Sequence, residues 1–300
     1  MILVVIQVKT ELFECHGHIM MNAENFAAAA ALHKNRVDET SLRNNLEVLA
    51  GSGVVYFRDA GDNLGASVYA KKIAHEYGIR YVSPAFAIHK EGRYGGLVGR
   101  AFNSMSDYQK LITLAKDSGA DYIKLMMSGI MTFAAVGELS CPPLSAEEIT
   151  EIVGVTHSAG LRVMAHVNGS DTIKAALMAG TDSIEHGYFM DDECISLLVQ
   201  TKAIWVPTIA PVAAFARAGD DKGKIAAEIS RDHMRSVGKA FAAGAYVASG
   251  SDSGAVGVPH GAGIITECEL LRQSSGMDNG SFNKLLYAAN TRVRDIFTTY

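Results

Sequence analysis

Phe13-Glu14-Cys15-His16-Gly17-His18 is the stretch on which the reading of this chain turns. Two histidines one residue apart, closing a short apolar run, read as a strand end. Alternate side chains of a strand point the same way, so His16 and His18 share one face. Two imidazoles on one side of a strand form a two-tooth clamp for a divalent metal, since neutral imidazole suits zinc and its neighbours. The pair alone is equally a pair of partly exposed strand-end histidines. The rest of the chain decides between the two.

Outward from His18, short β-branched runs alternate with longer amphipathic segments. The strand-like runs are Gly53–Arg58, Arg80–Phe86, Asp121–Met126, Leu161–His166, Ser183–His186, Ala203–Pro207 and Tyr246–Gly250. Helical material comes after each, including Ser41–Ala50, Ala66–Tyr77, Ser106–Ser118, Lys222–Ala243 and final helices from about Glu267. Pro142-Pro143 breaks the chain, and Ser145-Ala-Glu-Glu supplies a helix cap with early carboxylates. With the first strand this makes eight β/α units, which predict an α/β fold, a closed (β/α)8 TIM-type barrel. The rival doubly wound sheet carries a Gly-x-Gly-x-x-Gly turn after its first strand. Nothing of that kind comes after His18. No Pro-, Gly- or Ser-rich linker divides the chain, so residues 1–300 read as a single domain.

Of the 300 residues, 48% are hydrophobic, enough for a large core. A formal charge of −5 and scattered lysines and arginines argue against nucleic acid or an anionic membrane as a partner. Met1-Ile-Leu-Val-Val-Ile lacks the basic start and cleavage signal of a secretory peptide, and no later run approaches the ~20 residues of a membrane span. Cys15, Cys141, Cys194 and Cys268 form no Cys-x-x-Cys pair, so a soluble protein of the reducing cytoplasm is expected.

In such a barrel the active site lies at the C-terminal ends of the strands. Gathered there would be His16 and His18 from strand one, Lys124 from strand four, His166 from strand five, His186 from strand six, and Asp252 just beyond strand eight. Any one of them has a plain structural explanation. Five coincident strand ends do not. His33, His75, His157 and His233 fall in helical segments, where surface solvation is expected; His89 and His260 fall in loops on the side of the mouth.

On these residues the chain resembles the amidohydrolase superfamily of metal-dependent hydrolases, closest to its prolidase-like and imidazolonepropionase-like branch, which includes Xaa-Arg and Xaa-Pro dipeptidases. Local words match as well: Arg58-Asp-Ala-Gly61, Ile123-Lys-Leu-Met-Met-Ser-Gly129, Ser183-Ile-Glu-His-Gly187 and Gly250-Ser-Asp252. The resemblance implies two divalent metal ions, usually Zn2+, one held by His16, His18 and Asp252, the other by His166 and His186. It implies Lys124 bridging them as a carboxylated lysine, because an ammonium beside two cations is strongly disfavoured. A hydroxide shared by the metals would be the nucleophile, with Asp252 the catalytic residue that takes the proton and passes it to the leaving amine. Deaminase-like members resemble this pattern with one metal and no bridging lysine.

The activity implied is hydrolysis of the amide bond of a small peptide, such as a dipeptide, or of an N-acyl amino acid. Ring opening of a cyclic amide or imidazolone and a non-catalytic remnant stay open as alternatives. For the small-molecule substrate, Arg93 and Tyr94 in the glycine-rich loop His89–Gly99, Asn168 after His166, Tyr188 after His186, and His260 are the candidate contacts. Family members usually carry a small flanking β-sandwich. Here most of it is expected to be absent, with residues 1–10 a possible remnant, and Lys9-Thr-Glu-Leu-Phe stands where Pro-Gly is common. Either a minimal barrel or a fragment is expected, with apolar surface that invites a homo-oligomer.

Overall fold

A computed structural model describes residues 11–298. The stretch 1–10, expected as a sandwich remnant, lies outside them. Among the described residues ten strands, β1 Leu12–Gly17, β2 Val54–Asp59, β3 Arg80–Val82, β4 Ala87–Lys90, β5 Gly99–Phe102, β6 Ile123–Met126, β7 Val163–Val167, β8 Ser183–His186, β9 Ile204–Val206 and β10 Tyr246–Val247, all pair in parallel. They run in the orders β1-β2-β3 and β10-β9-β8-β7-β6-β4-β5.

Backbone hydrogen bonds join the two sheets. At one seam Cys15 N–H donates to Ser249 O (3.0 Å), Asp252 N–H to His16 O (2.7 Å) and His18 N–H to Ser253 O (2.8 Å). At the other, Asp121 N–H donates to Ser83 O (2.8 Å). The run Arg80–Phe86, read from sequence as one strand, is strand only over Arg80–Val82, and β4 resumes beyond it at Ala87. Pro84 has no N–H to give a ladder, and Ala85 adopts a left-handed φ of 64°. β3 pairs with β2 while β4 pairs with β6, so the two strands share one position in the α/β barrel. The glycine-rich loop is likewise shorter than expected, because β4 takes in His89 and β5 runs beside it.

Strand alternation sorts the side chains. Leu125, Ala165, Ile184 and Trp205 join the layer beneath the helices, packed with Ile149, Ile173, Leu198 and Val237. Lys124, His166 and Glu185 take the alternate positions and face inward. The helix Ala146–Ser158 begins at the capping box of Ser145 and Glu148, as Ser-x-x-Glu predicts. The last two helices, Ala262–Ser275 and Asn279–Phe297, start five residues earlier than sequence suggested. Phe297 is fully buried against Tyr122 at the N-terminal end of the strands, ring centroids 5.3 Å apart, and the Arg58 guanidinium sits 4.5 Å from its ring. Among the described residues no helix is long and apolar enough to cross a membrane.

Two helix histidines are buried rather than solvated. His33 accepts from Asp38 N–H (3.1 Å), and His233 lies 2.9 Å from Pro207 O with its ring stacked on Tyr188 at 4.0 Å. His75 is exposed and His157 is half-buried beside Asp182 (2.8 Å), nearer the expectation.

Candidate active site

The residue between the two β1 histidines has to be glycine. A Cβ on Gly17 would lie 2.6 Å from both the Phe57 ring and Ser253 Oγ. Its absence lets the end of β1 slide between β2 and the segment after β10, carrying His16 and His18 to Asp252. His18 Nε2 lies 3.4 Å and His16 Nε2 3.7 Å from Asp252 Oδ1, and the three ligand atoms fall within 4.8 Å of one another. His186 stands beside His16 (ring centroids 4.9 Å) and beside His166 (4.6 Å). Lys124 lines the same cavity. The structure therefore brings together all six residues expected to hold metal.

Three residues here adopt left-handed φ without being glycine: His186 (66°), Thr208 (49°) and Asp252 (59°). Such conformations cost about 1–3 kcal/mol each and persist where the surroundings over-determine them. His186 Nδ1 and Thr208 Oγ1 are 2.7 Å apart, so two of the strained residues hold each other.

The cluster is held from below. His16 Nδ1 is 2.6 Å from Glu185 Oε2. A carboxylate only accepts, so Nδ1 carries the hydrogen and the Nε2 lone pair faces Asp252. Glu185 in turn accepts from Arg58 Nη2 (2.8 Å) and Ser183 Oγ (2.5 Å), while Arg58 also donates to Cys15 O (2.6 Å) and Ser183 Oγ (2.9 Å). Arg58 and Glu185 are both wholly buried. Likewise His166 Nε2 is 3.2 Å from Gly129 O, which leaves its Nδ1 lone pair free. Sequence reasoning missed the supporting role of Arg58 and Glu185, although both stand in family-like words. The available signal was alternation, which puts Ser183 and Glu185 together on the inner face of β8, where a carboxylate requires a partner.

Burial sets the charge states. It pushes His18 and His166 down to about 3, and His16 and His186 well below the usual imidazole range, with the nearby Lys124 ammonium adding to the effect. All four imidazoles are neutral at physiological pH, as metal ligands must be. Burial pulls Lys124 below the usual lysine range and lifts Asp252 above the usual carboxylate range. Lys124 Nζ is buried with no hydrogen-bond partner. A buried nitrogen without a partner, facing four neutral imidazoles and a carboxylate, is a donor set that fits divalent metal.

The cavity over this floor is about 210 Å³. Of the expected substrate contacts, Tyr94, Asn168 and Tyr188 line it; Arg93 and His260 do not. The Tyr94 ring lies tilted beside His166, centroids 5.1 Å apart. Asn168 spends its amide on Gly129 O (3.3 Å) and Tyr188 N–H (3.0 Å), and the Tyr188 hydroxyl donates to Thr208 O (2.7 Å). Arg93 lies within the field of Glu148. His260 sits behind the floor, 2.9 Å from Met21 O and 3.3 Å from Ser253 Oγ.

Residues 12–292 match the model of the amidohydrolase family. An uncharacterized protein of Mycobacterium tuberculosis is 30% identical over 149 residues, 48% of this chain and 39% of that protein. Ochratoxinase of Aspergillus niger is 25% identical over 214 residues, 69% of this chain and 41% of the enzyme. The chain thus spans about two fifths of the length of these curated relatives. Among solved structures, a Xaa-Pro dipeptidase with bound methionine in its active site superposes with a TM-score of 0.76 at 23% identity, covering 95% of this chain and 75% of that one. The A. niger ochratoxinase structure gives 0.76 at 20% identity, over 94% and 71%. At these identities the structural likeness is one of fold.

Proposed function

This chain belongs to the amidohydrolase family, and from that premise we propose that it is a metal-dependent hydrolase of amide C–N bonds in small peptides or N-acyl amino acids. One observation carries the reading. Six side chains from five barrel positions converge on one cavity, and among them the Lys124 amine is buried without a partner.

His16, His18 and Asp252 would hold one divalent cation and His166 and His186 a second, with Lys124 between them; nitrogen and oxygen donors of this kind suit zinc. When bound, such cations lower the pKa of water towards ~7 and polarise a carbonyl oxygen. The chain's own residues do the rest. Burial holds part of Lys124 as the neutral amine, the form that adds to carbon dioxide; an N–C bond forms, a proton leaves, and the product carries two oxygens and a negative charge. As the carboxylate, Asp252 would take the proton of the attacking water and return it to the departing amine nitrogen. Glu185 and Arg58 keep the His16 imidazole aimed at the floor.

The test is a panel of dipeptides and N-acyl amino acids, both free and with the carboxylate capped as an amide, and of cyclic amides, offered to zinc-loaded protein. Amine release from linear amides, reduced roughly 10²–10⁴-fold in Asp252→Asn, is expected. Metal-loaded protein inert to the whole panel would contradict the proposal.

A further inference from the structure

We propose that the cavity selects amides whose groups flanking the scissile bond are apolar and uncharged, and discriminates against those bearing a free carboxylate. This rests on the amide-hydrolase reading and narrows it: among small peptides and N-acyl amino acids, those whose carboxylate is capped as an amide or ester are favoured over the free acids.

The charged groups of the cavity, Lys124 and Asp252, both lie on its floor with the imidazoles. Above the floor the wall consists chiefly of Leu97, Ile130, Phe133, Val212 and Phe215. Three separate segments build it: Leu97 comes from the loop between β4 and β5, while the loop after β6 and the helix Ile209–Phe215 after β9 meet where the Phe133 and Phe215 rings lie 4.8 Å apart. Leu97, Ile130 and Phe215 remain 54%, 43% and 41% exposed, a concentration of apolar surface at a cavity mouth of the kind that a ligand covers.

A substrate carboxylate resting on this wall would be stripped of water with nothing to pair it. Apart from Lys124 on the floor, no lysine or arginine among the described residues lines the cavity. Arg58 lies beneath the floor, wholly buried and bonded to Glu185; Lys90 is paired with Glu148, and Arg93 stands near that same carboxylate, outside the lining. The neutral polar groups point to the same conclusion. Asn168 and Tyr188 are spent on the protein's own backbone. Tyr94 remains, a lining hydroxyl suited to a neutral acceptor such as a carbonyl oxygen.

The experiment uses a matched pair, the 3-phenylpropionyl amides of phenethylamine and of phenylalanine, which differ only by the carboxylate. With zinc-loaded protein the phenethylamine amide is expected to show a kcat/KM at least tenfold higher. By calorimetry on the full chain before metal is added, it is expected to bind at least tenfold more tightly. Leu97→Arg, which places a cation in the wall, is expected to narrow both gaps about tenfold. Equal or better handling of the phenylalanine amide, binding of neither, or an unchanged gap in Leu97→Arg would overturn the proposal. Binding preference for the neutral amide without turnover of either would instead overturn the catalytic reading and leave the selectivity standing.

Discussion

The floor and the wall of the cavity are built in opposite ways. The floor rests on strands and strand ends, and its supports are fully buried: Lys124 is 1% exposed, and Glu185 and Arg58 lie beneath it bonded to each other and to His16. The wall rests on loops and one short helix, makes its contacts through apolar surface, and leaves Leu97 54% exposed. Strands hold polar groups to a fraction of an ångström, which metal chemistry requires. Loops can vary without disturbing that geometry, which suits the choice of substrate. Damage to the floor should therefore register in metal content, and damage to the wall in substrate affinity alone.

The sharpest division comes from Lys124→Ala. It removes the group placed between the two proposed cations, so zinc per chain should fall and amide hydrolysis should disappear, read by metal analysis and amine release. Retention of both would break the comparison at its base. Glu185→Gln comes next. It leaves the His16 hydrogen bond weakened and Arg58 buried without its carboxylate, so zinc affinity should drop roughly 10–100-fold and stability by about 3–5 kcal/mol. A metal titration and urea unfolding check these together.

In the wall, Phe133→Ala or Phe215→Ala deletes half of the ring contact and should cost about 1 kcal/mol, roughly fivefold, in kcat/KM for apolar amides, mostly through KM. Zinc content should not change; if it does, floor and wall are not separate. The smallest effect concerns the root of the wall. Glu267 accepts the N–H groups of Ile209 (3.0 Å) and Ala210 (2.8 Å) at the start of the wall helix, and burial lifts its carboxyl to about 8 from 4.5. The folded chain thus binds this proton more tightly than the unfolded one. The stability Glu267 contributes is full below pH ~4.5 and fades as pH rises through about 8. The stability difference between wild type and Glu267→Gln should accordingly shrink from pH 5 to pH 8 in urea titrations. A difference constant across that range would contradict this.

The same contrast explains what sequence could show. His16, His18, Lys124, His166, His186 and Asp252 were legible because strand spacing and a repeating β/α order bring distant residues to one end of a barrel. The supports Arg58 and Glu185 stood in recognised words, yet their pairing joins residues 127 positions apart, and only coordinates reveal such a partner. Arg93 and His260 were expected near substrate because loops after strands lie at the mouth. Loop residues carry no periodicity to fix their direction, and these two are not among the residues that line the cavity. The helix Ile209–Phe215 was missed for a related reason: it is seven residues long, contains Pro211 and lacks a side-chain cap. His233 was expected on the surface, because a lone histidine on a 23-residue helix gives no sign of the Tyr188 ring waiting beneath it.

Mass spectrometry of the zinc-loaded chain under non-denaturing conditions tests the central claim most directly. The account predicts two zinc ions and the added mass of one carbon dioxide per chain, with the adduct absent from Lys124→Ala. A chain holding no zinc, or an unaltered Lys124 beside two bound ions, would contradict it.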